Sequence, residues 1–370
     1  MKQLSIFPVI HKYNTISEFI DEFSICETDL ILTSERSYNT FLSNKNITAH
    51  VIFREKYGKG EPTDVMAEAI GADIPADVKR IIAIGGGTIL DLAKLYVLEQ
   101  YSPIDELYDG NIPVKKAREL ILVPTTCGTG SEVTNISILA LTKKGTKKGL
   151  ANDALYPDAA ILIPELLKGM PESVFATSSI DALIHAVESY LSPKATSFTE
   201  IFSKYAIELI LKGYKKLKEN GLEYREEIYE DFLVASTYAG IAFSNAGCAA
   251  VHALSYPLGA KYHVAHGESN YVMFTAVMKT YMGIKPDGKI ASLNAFISNI
   301  LECISDEVYE DLEILLSTII ERKPMSSYGV TEAEIEEFTD SVIENQQRLL
   351  GNNYVFLDRN QIMGVYKKVF

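Results

Sequence analysis

Short apolar runs bounded by glycine, proline or polar residues recur through the first 165 residues: Asp29–Thr33 (DLILT), Ala49–Phe53 (AHVIF), Arg80–Ile84 (RIIAI), Glu119–Val123 (ELILV) and Asp158–Ile163 (DAAILI). Unbroken apolar runs of this length suit strands buried on both faces of a parallel sheet. Helix-like stretches such as Ile89–Gln100 lie between them, and the alternation predicts a doubly wound α/β domain. Beyond Pro164 helical spacing dominates, in Ile180–Ser192, Thr199–Asn220, Glu226–Phe243 and Ala333–Leu350. In the first of these, Ile180, Leu183, Ala186, Val187, Tyr190 and Leu191 share one broad face. Pro164 and the Gly169–Met170–Pro171 turn mark the change of texture. The expected organisation is an α/β domain over residues 1–164 and an all-α domain over 165–370.

Composition narrows the class. A chain of 370 residues with 47% hydrophobic and 23% charged positions is ordinary for a globular protein, which excludes disordered, collagen-like and coiled-coil chains. Acidic residues outnumber basic ones 49 to 35, for a formal charge of −14. That field repels phosphate backbones and anionic lipid, so neither nucleic acid nor membrane is an expected partner. A small anionic substrate stays possible, because screening over ~8 Å makes the local site decisive. Cys26, Cys127, Cys248 and Cys303 lie far apart with no CxxC pair, and read as reduced thiols. The start, MKQLSIFPVIHKYN, lacks the features of a signal peptide, and no run reaches the ~18 apolar residues of a membrane span. A soluble, cytoplasmic protein is expected.

Two polar loops follow predicted strands. Gly85–Gly86–Gly87–Thr88 leads from a strand into a helix, where backbone N–H groups can meet an anion such as a cofactor pyrophosphate. It is neither GxGxxG nor a P-loop, and it fits an ordinary strand-to-helix turn equally well. Asp91 suits either view, as a first-turn carboxylate or a cofactor contact. Pro124–Glu132 (PTTCGTGSE) offers hydroxyls and glycine N–H groups for a phosphate or ribose, or caps for a helix. Two such loops beyond the carboxyl ends of strands favour a nucleotide site.

The second half concentrates imidazoles. Four of the six histidines lie between residues 185 and 266. Asp181 and His185 stand four apart on a helical face, and His252 and His266 flank a Tyr256–Gly259 segment (YPLG) that reads as a turn. One carboxylate and three imidazoles suit Fe(II) or Zn(II), and the spacing is not that of HExxH. The same residues also read as an N-cap, a satisfied core histidine and unrelated loop residues. A divalent ion beside a dinucleotide would support metal-assisted hydride transfer.

The motifs GGGTILDLAK (85–94), PTTCGTGSEVT (124–134), SSIDALIHAVESY (178–190) and NAGCAAVHALSYPLGAKYHVAHGESN (245–270) resemble the signatures of the iron-containing, group III alcohol dehydrogenases. The resemblance runs over essentially the whole chain and, through DSVIENQQRLLGNNY (340–354), is strongest to the subgroup that interconverts 4-hydroxybutyrate and succinate semialdehyde. It implies a dehydroquinate synthase-like fold with an N-terminal dinucleotide-binding domain and an all-α metal domain. It implies metal ligation by Asp181, His185, His252 and His266, with Gly86, Gly87, Thr88 and Asp91 at the pyrophosphate. Thr125, Thr126 and Thr129 would flank the cofactor, Lys147 would lie near the nicotinamide ribose, and Glu61, Pro62 and Thr63 would border the nucleotide. It also implies a homo-oligomer, a dimer or larger. Another small primary alcohol, diol or aldehyde is the alternative substrate. A lyase or glycerol-phosphate enzyme of the same architecture, and an inactive binding module, are the rivals.

Two departures from the family pattern stand out. An Asp that would hold the adenosine ribose is replaced by Ser34, followed by Glu35 and Arg36; NAD(H) is still expected over NADP, with Arg36 the residue that argues against it. Four residues after His252 the family's proton-relay His is replaced by Tyr256. A phenol titrates near ~10 and an imidazole near ~6.5, so His263 becomes the candidate relay and Tyr256 a shaper of the pocket. Lys261, with Tyr262 and Asn245, is the expected anchor for a substrate carboxylate. Cys127 and Cys248 read as buried thiols rather than nucleophiles.

Overall fold

A computed structural model describes residues 2–370. The chain divides into two compact units, one spanning Ile6–Gly169 and the other Met170–Phe370 joined by the N-terminal residues up to Ser5.

The first unit is built on a six-stranded, wholly parallel sheet of β1 (Val9–Lys12), β2 (Asp29–Thr33), β3 (His50–Phe53), β4 (Arg80–Gly85), β5 (Glu119–Pro124) and β8 (Ala159–Leu162), in the order β1-β8-β5-β4-β2-β3. The apolar runs are continuous because both faces are covered. Leu30, Leu32, Ile81, Ala83, Leu120 and Leu122 enter one core cluster, while the alternating Ile31, Ile82, Ile84, Ile121 and Val123 enter another. A separate antiparallel hairpin pairs β6 (Ile136–Leu141) with β7 (Thr146–Ala151). The chain runs outward from β2 to β3, then returns to β4 and continues the other way to β5. The loops after β2 and β4 therefore diverge, which is where open α/β sheets bind ligands.

The sequence does not mark β1. It is an edge strand whose residues Val9, Ile10 and Lys12 are exposed, so burial leaves no pattern to read.

The second unit is all helical. A long helix, Glu172–Leu191, packs against Ser197–Asn220, Tyr229–Ala246 and His266–Ile284. The YPLG segment is a correction to the sequence reading: it lies inside the helix Ala250–Tyr262, with Pro257 in its interior. Proline usually ends a helix, but His252, Ala253, Leu254 and Leu258 are buried there, and tertiary packing carries the helix through. The predicted Ala333–Leu350 helix is broken at Gln346 into Glu334–Asn345 and Gln347–Leu350. Among the described residues no single helix is long and apolar enough to cross a membrane.

At the amino ends of β2 and β4, Asp29 accepts from Arg80 Nε at 2.9 Å, from an Arg80 terminal nitrogen at 2.6 Å, and from the Cys26 N–H at 2.8 Å. Asp29 is buried, whereas Arg80 is half-buried and also donates to the Phe23 carbonyl at 3.1 Å. Removing the charged acceptor by Asp29→Ala costs about 2 kcal/mol, expected as a lowered urea midpoint for D29A.

Candidate active site: a metal group and two nucleotide loops

The helix Glu172–Leu191 presents Asp181 and His185 one turn apart. His252 lies in the first turn of Ala250–Tyr262, and His266 opens the helix His266–Ile284. One ligand atom from each of the four residues lies within 4.8 Å of the others. Gly267 makes the approach possible: a Cβ there would stand 2.1 Å from the Thr177 carbonyl oxygen and 3.2 Å from Asp181 Cβ. The His266 helix thus starts directly against the helix that carries Asp181.

The rings are held. His185 stacks between Phe243 at 4.3 Å and His252 at 4.6 Å. Asn270, a turn beyond His266, donates to Asp181 Oδ1 at 2.7 Å. His252 Nδ1 lies 2.6 Å from Glu188, and its Nε2 is buried with no hydrogen-bond partner. Burial disfavours charge on His252, but Glu188 and Asp181 outweigh it and raise the imidazole to about 9. Burial likewise pushes Asp181 up, yet His185, His266 and His252 hold its carboxyl well below the usual range. The two shifts are the two sides of one attraction, between the buried carboxylates and the imidazoles beside them. Three ligands are buried while the His266 side chain keeps 35% of its exposure, so the set meets solvent on the His266 side. The residues fit a divalent ion with an N₃O donor set.

In the first unit the two polar loops are one structure. The Thr125 N–H donates to the Gly85 carbonyl at 3.0 Å. A Cβ on Gly87 would lie 2.7 Å from the Thr129 methyl, so Gly87 is required by the second loop as well as by any ligand. The helix Gly87–Tyr96 begins at Gly86 without a side-chain cap, which leaves its first N–H groups for an anion. Asp91 accepts from the Ser131 hydroxyl at 2.6 Å and the Ile138 N–H at 3.0 Å, so one oxygen braces the second loop and the other the strand β6. Lys94, fully buried, donates to the Ser131 and Thr134 hydroxyls and the Ile136 carbonyl at 2.7–2.9 Å. Burial lowers its pKa, against the pull of Asp91 and Glu132. Glu61 pairs with Lys147, Pro62 accepts from the Ala140 N–H, and Thr63 caps the helix Asp64–Ala72. Ser34, beyond β2, caps the short turn Glu35–Ser37.

Residues 9–164 match the iron-containing alcohol dehydrogenase family, and residues 175–370 match its C-terminal domain. The chain belongs to the iron-containing alcohol dehydrogenases. It is 50% identical to the 4-hydroxybutyrate dehydrogenase of Clostridium kluyveri across the full length of both chains. With the long-chain-alcohol dehydrogenase 1 of Geobacillus thermodenitrificans it shares 36% identity, over 78% of this chain and 74% of that one. The fold matches the sulfoacetaldehyde reductase of Bifidobacterium kashiwanohense, solved with NAD⁺, at a TM-score of 0.84 and 22% identity, covering 100% of this chain and 99% of that one.

For an iron-type dehydrogenase the remaining positions are informative. The Tyr256 ring lies 6.3 Å from that of His266. His263 is exposed and closes its helix in a left-handed conformation. Lys261 is paired with Glu334 at 2.7 Å and Glu337 at 3.3 Å, and the Tyr262 hydroxyl donates to Glu334. The Asn245 amide is engaged by the Ser5 backbone and the Ile241 carbonyl. Sequence reasoning missed Lys94, Asn270 and Glu188. Each lies inside a quoted motif, but their hydrogen-bond partners are 37 or more residues away except for the His266 contact of Asn270, and the one other near partner is Asp91 beside Lys94.

Gly267→Ala should drive the two ligand-bearing helices apart. The expected outcome is loss of bound metal with helical content retained, read by elemental analysis beside far-UV circular dichroism.

Proposed function

We propose that this enzyme interconverts 4-hydroxybutyrate and succinate semialdehyde with NAD(H). The 50% identity over full length to a 4-hydroxybutyrate dehydrogenase carries the reading. The uncapped helix start at Gly86, Gly87 and Thr88 takes the pyrophosphate, with the hydroxyls of Thr125, Thr126 and Thr129 beside it. Asp91 serves by holding that second loop in place. Glu61, Pro62 and Thr63 border the nucleotide, and Lys147, paired with Glu61, reaches the nicotinamide ribose. NAD is favoured over NADP because Arg36, the cation that would meet a 2′-phosphate, donates to the Gly169 carbonyl. Glu55 also accepts from the Glu35 N–H and adds negative charge to that loop.

A divalent metal on Asp181, His185, His252 and His266 would polarise the alcohol or carbonyl oxygen as a Lewis acid. A bound nicotinamide would accept the hydride lost by the carbinol carbon, while the hydroxyl proton would pass to water. His263, exposed at the helix end, relays that proton. Tyr256, near His266, shapes the pocket.

Lys261 is the proposed anchor for the substrate carboxylate, and its pairs with Glu334 and Glu337 must open for that role. The engagement of Lys261 and Asn245 favours a second reading, in which the substrate is a small neutral alcohol or aldehyde. NADH oxidation by metal-reconstituted protein with succinate semialdehyde against butanal separates the two. Preference for the semialdehyde is expected, and preference for butanal discards the acid substrate. Lys261→Ala should raise KM for the semialdehyde and spare butanal; equal effects on both would remove Lys261 as the anchor.

A further inference from the structure

Glu188 stands on the same helix as Asp181 and His185, is almost wholly buried, and is not one of the four clustered ligands. Three donors converge on it: the Ala249 N–H at 3.0 Å, the Val251 N–H at 2.6 Å and His252 Nδ1 at 2.6 Å. A carboxylate can only accept, so His252 Nδ1 carries a proton and donates it. That leaves Nε2 as the ring's coordinating atom. Nε2 is the buried atom without a hydrogen-bond partner, 3.6 Å from Asp181 Oδ1.

From this geometry we infer that Glu188 is a positioning residue for the metal: it fixes the tautomer and the rotation of His252 so that Nε2 faces the ion. Through the same two oxygens it caps the start of the helix Ala250–Tyr262. The entry turn and the imidazole are thereby oriented by one group. The inference rests on the metal group alone and is independent of which alcohol the enzyme takes. Partners of this kind typically contribute tenfold to hundredfold to metal affinity.

The turn has a second support that serves as a control. Asn352 donates to the Cys248 carbonyl at 2.9 Å, and Gly247 packs against its amide. Asn352→Ala loosens the turn without touching His252. The experiment is chelator competition for Zn(II) and Co(II), with the visible absorption of the Co(II) protein, in wild type, Glu188→Gln, Glu188→Ala and Asn352→Ala. Glu188→Gln keeps the shape of the side chain and one acceptor oxygen. It is expected to weaken affinity by about 10–100-fold and to change the Co(II) spectrum while far-UV circular dichroism is unchanged. Glu188→Ala should be weaker still, and if it does not fold, the glutamine variant carries the test. Asn352→Ala should leave the Co(II) spectrum as in wild type. A folded Glu188→Gln protein with native affinity and spectrum overturns the inference. So does the same spectral change in Asn352→Ala, because Glu188 would then act only by holding the turn.

Discussion

Two buried carboxylates, Asp181 and Glu188, two turns apart on one helix with His185 between them, are the constraint from which the second unit is organised. A buried charge without partners is costly, so other elements must bring donors to that stripe. They arrive at helix starts, where N–H groups have no intrahelical acceptor. The Ala250–Tyr262 helix brings the Val251 N–H and His252 in its first turn, and the preceding turn supplies the Ala249 N–H. The other arriving helix begins with His266 and supplies Asn270 a turn later. The metal group stands where this carboxylate stripe meets the three imidazoles.

The first unit uses a related device. Asp91 and Lys94 lie three residues apart on one helix, 3.6 Å from each other, and share Ser131 as a partner. A buried ammonium with hydroxyl and carbonyl acceptors ties the loop after β5 to the helix after β4. The loop's hydroxyls are presented by a braced scaffold, and a site pre-organised in this way loses less entropy on binding.

What could be read from sequence follows from where the information is stored. Asp29–Thr33 was delimited at both ends because it is buried on both faces. The edge strand Val9–Lys12 was invisible because its residues face solvent. Asp181 and His185 declare themselves by their spacing along one helix; residue type alone could group His252 and His266 with them, and resemblance to a family decided between that set and unrelated loop histidines. Glu188 was missed because a lone acid in an apolar helix reads as a surface position, and its imidazole partner is 64 residues on. Pro257 misled for the converse reason: a strong local signal for a turn was overruled by burial of the residues around it.

The uneven burial of the four ligands carries a kinetic meaning. Asp181, His185 and His252 are sealed in the helical core, while His266 sits at the outer edge of the set. An ion held by this set would therefore have its shortest route to solvent on the His266 side. A set of three nitrogens and one oxygen discriminates weakly among divalent ions. Which ion would occupy it then depends on supply as well as on the ligands.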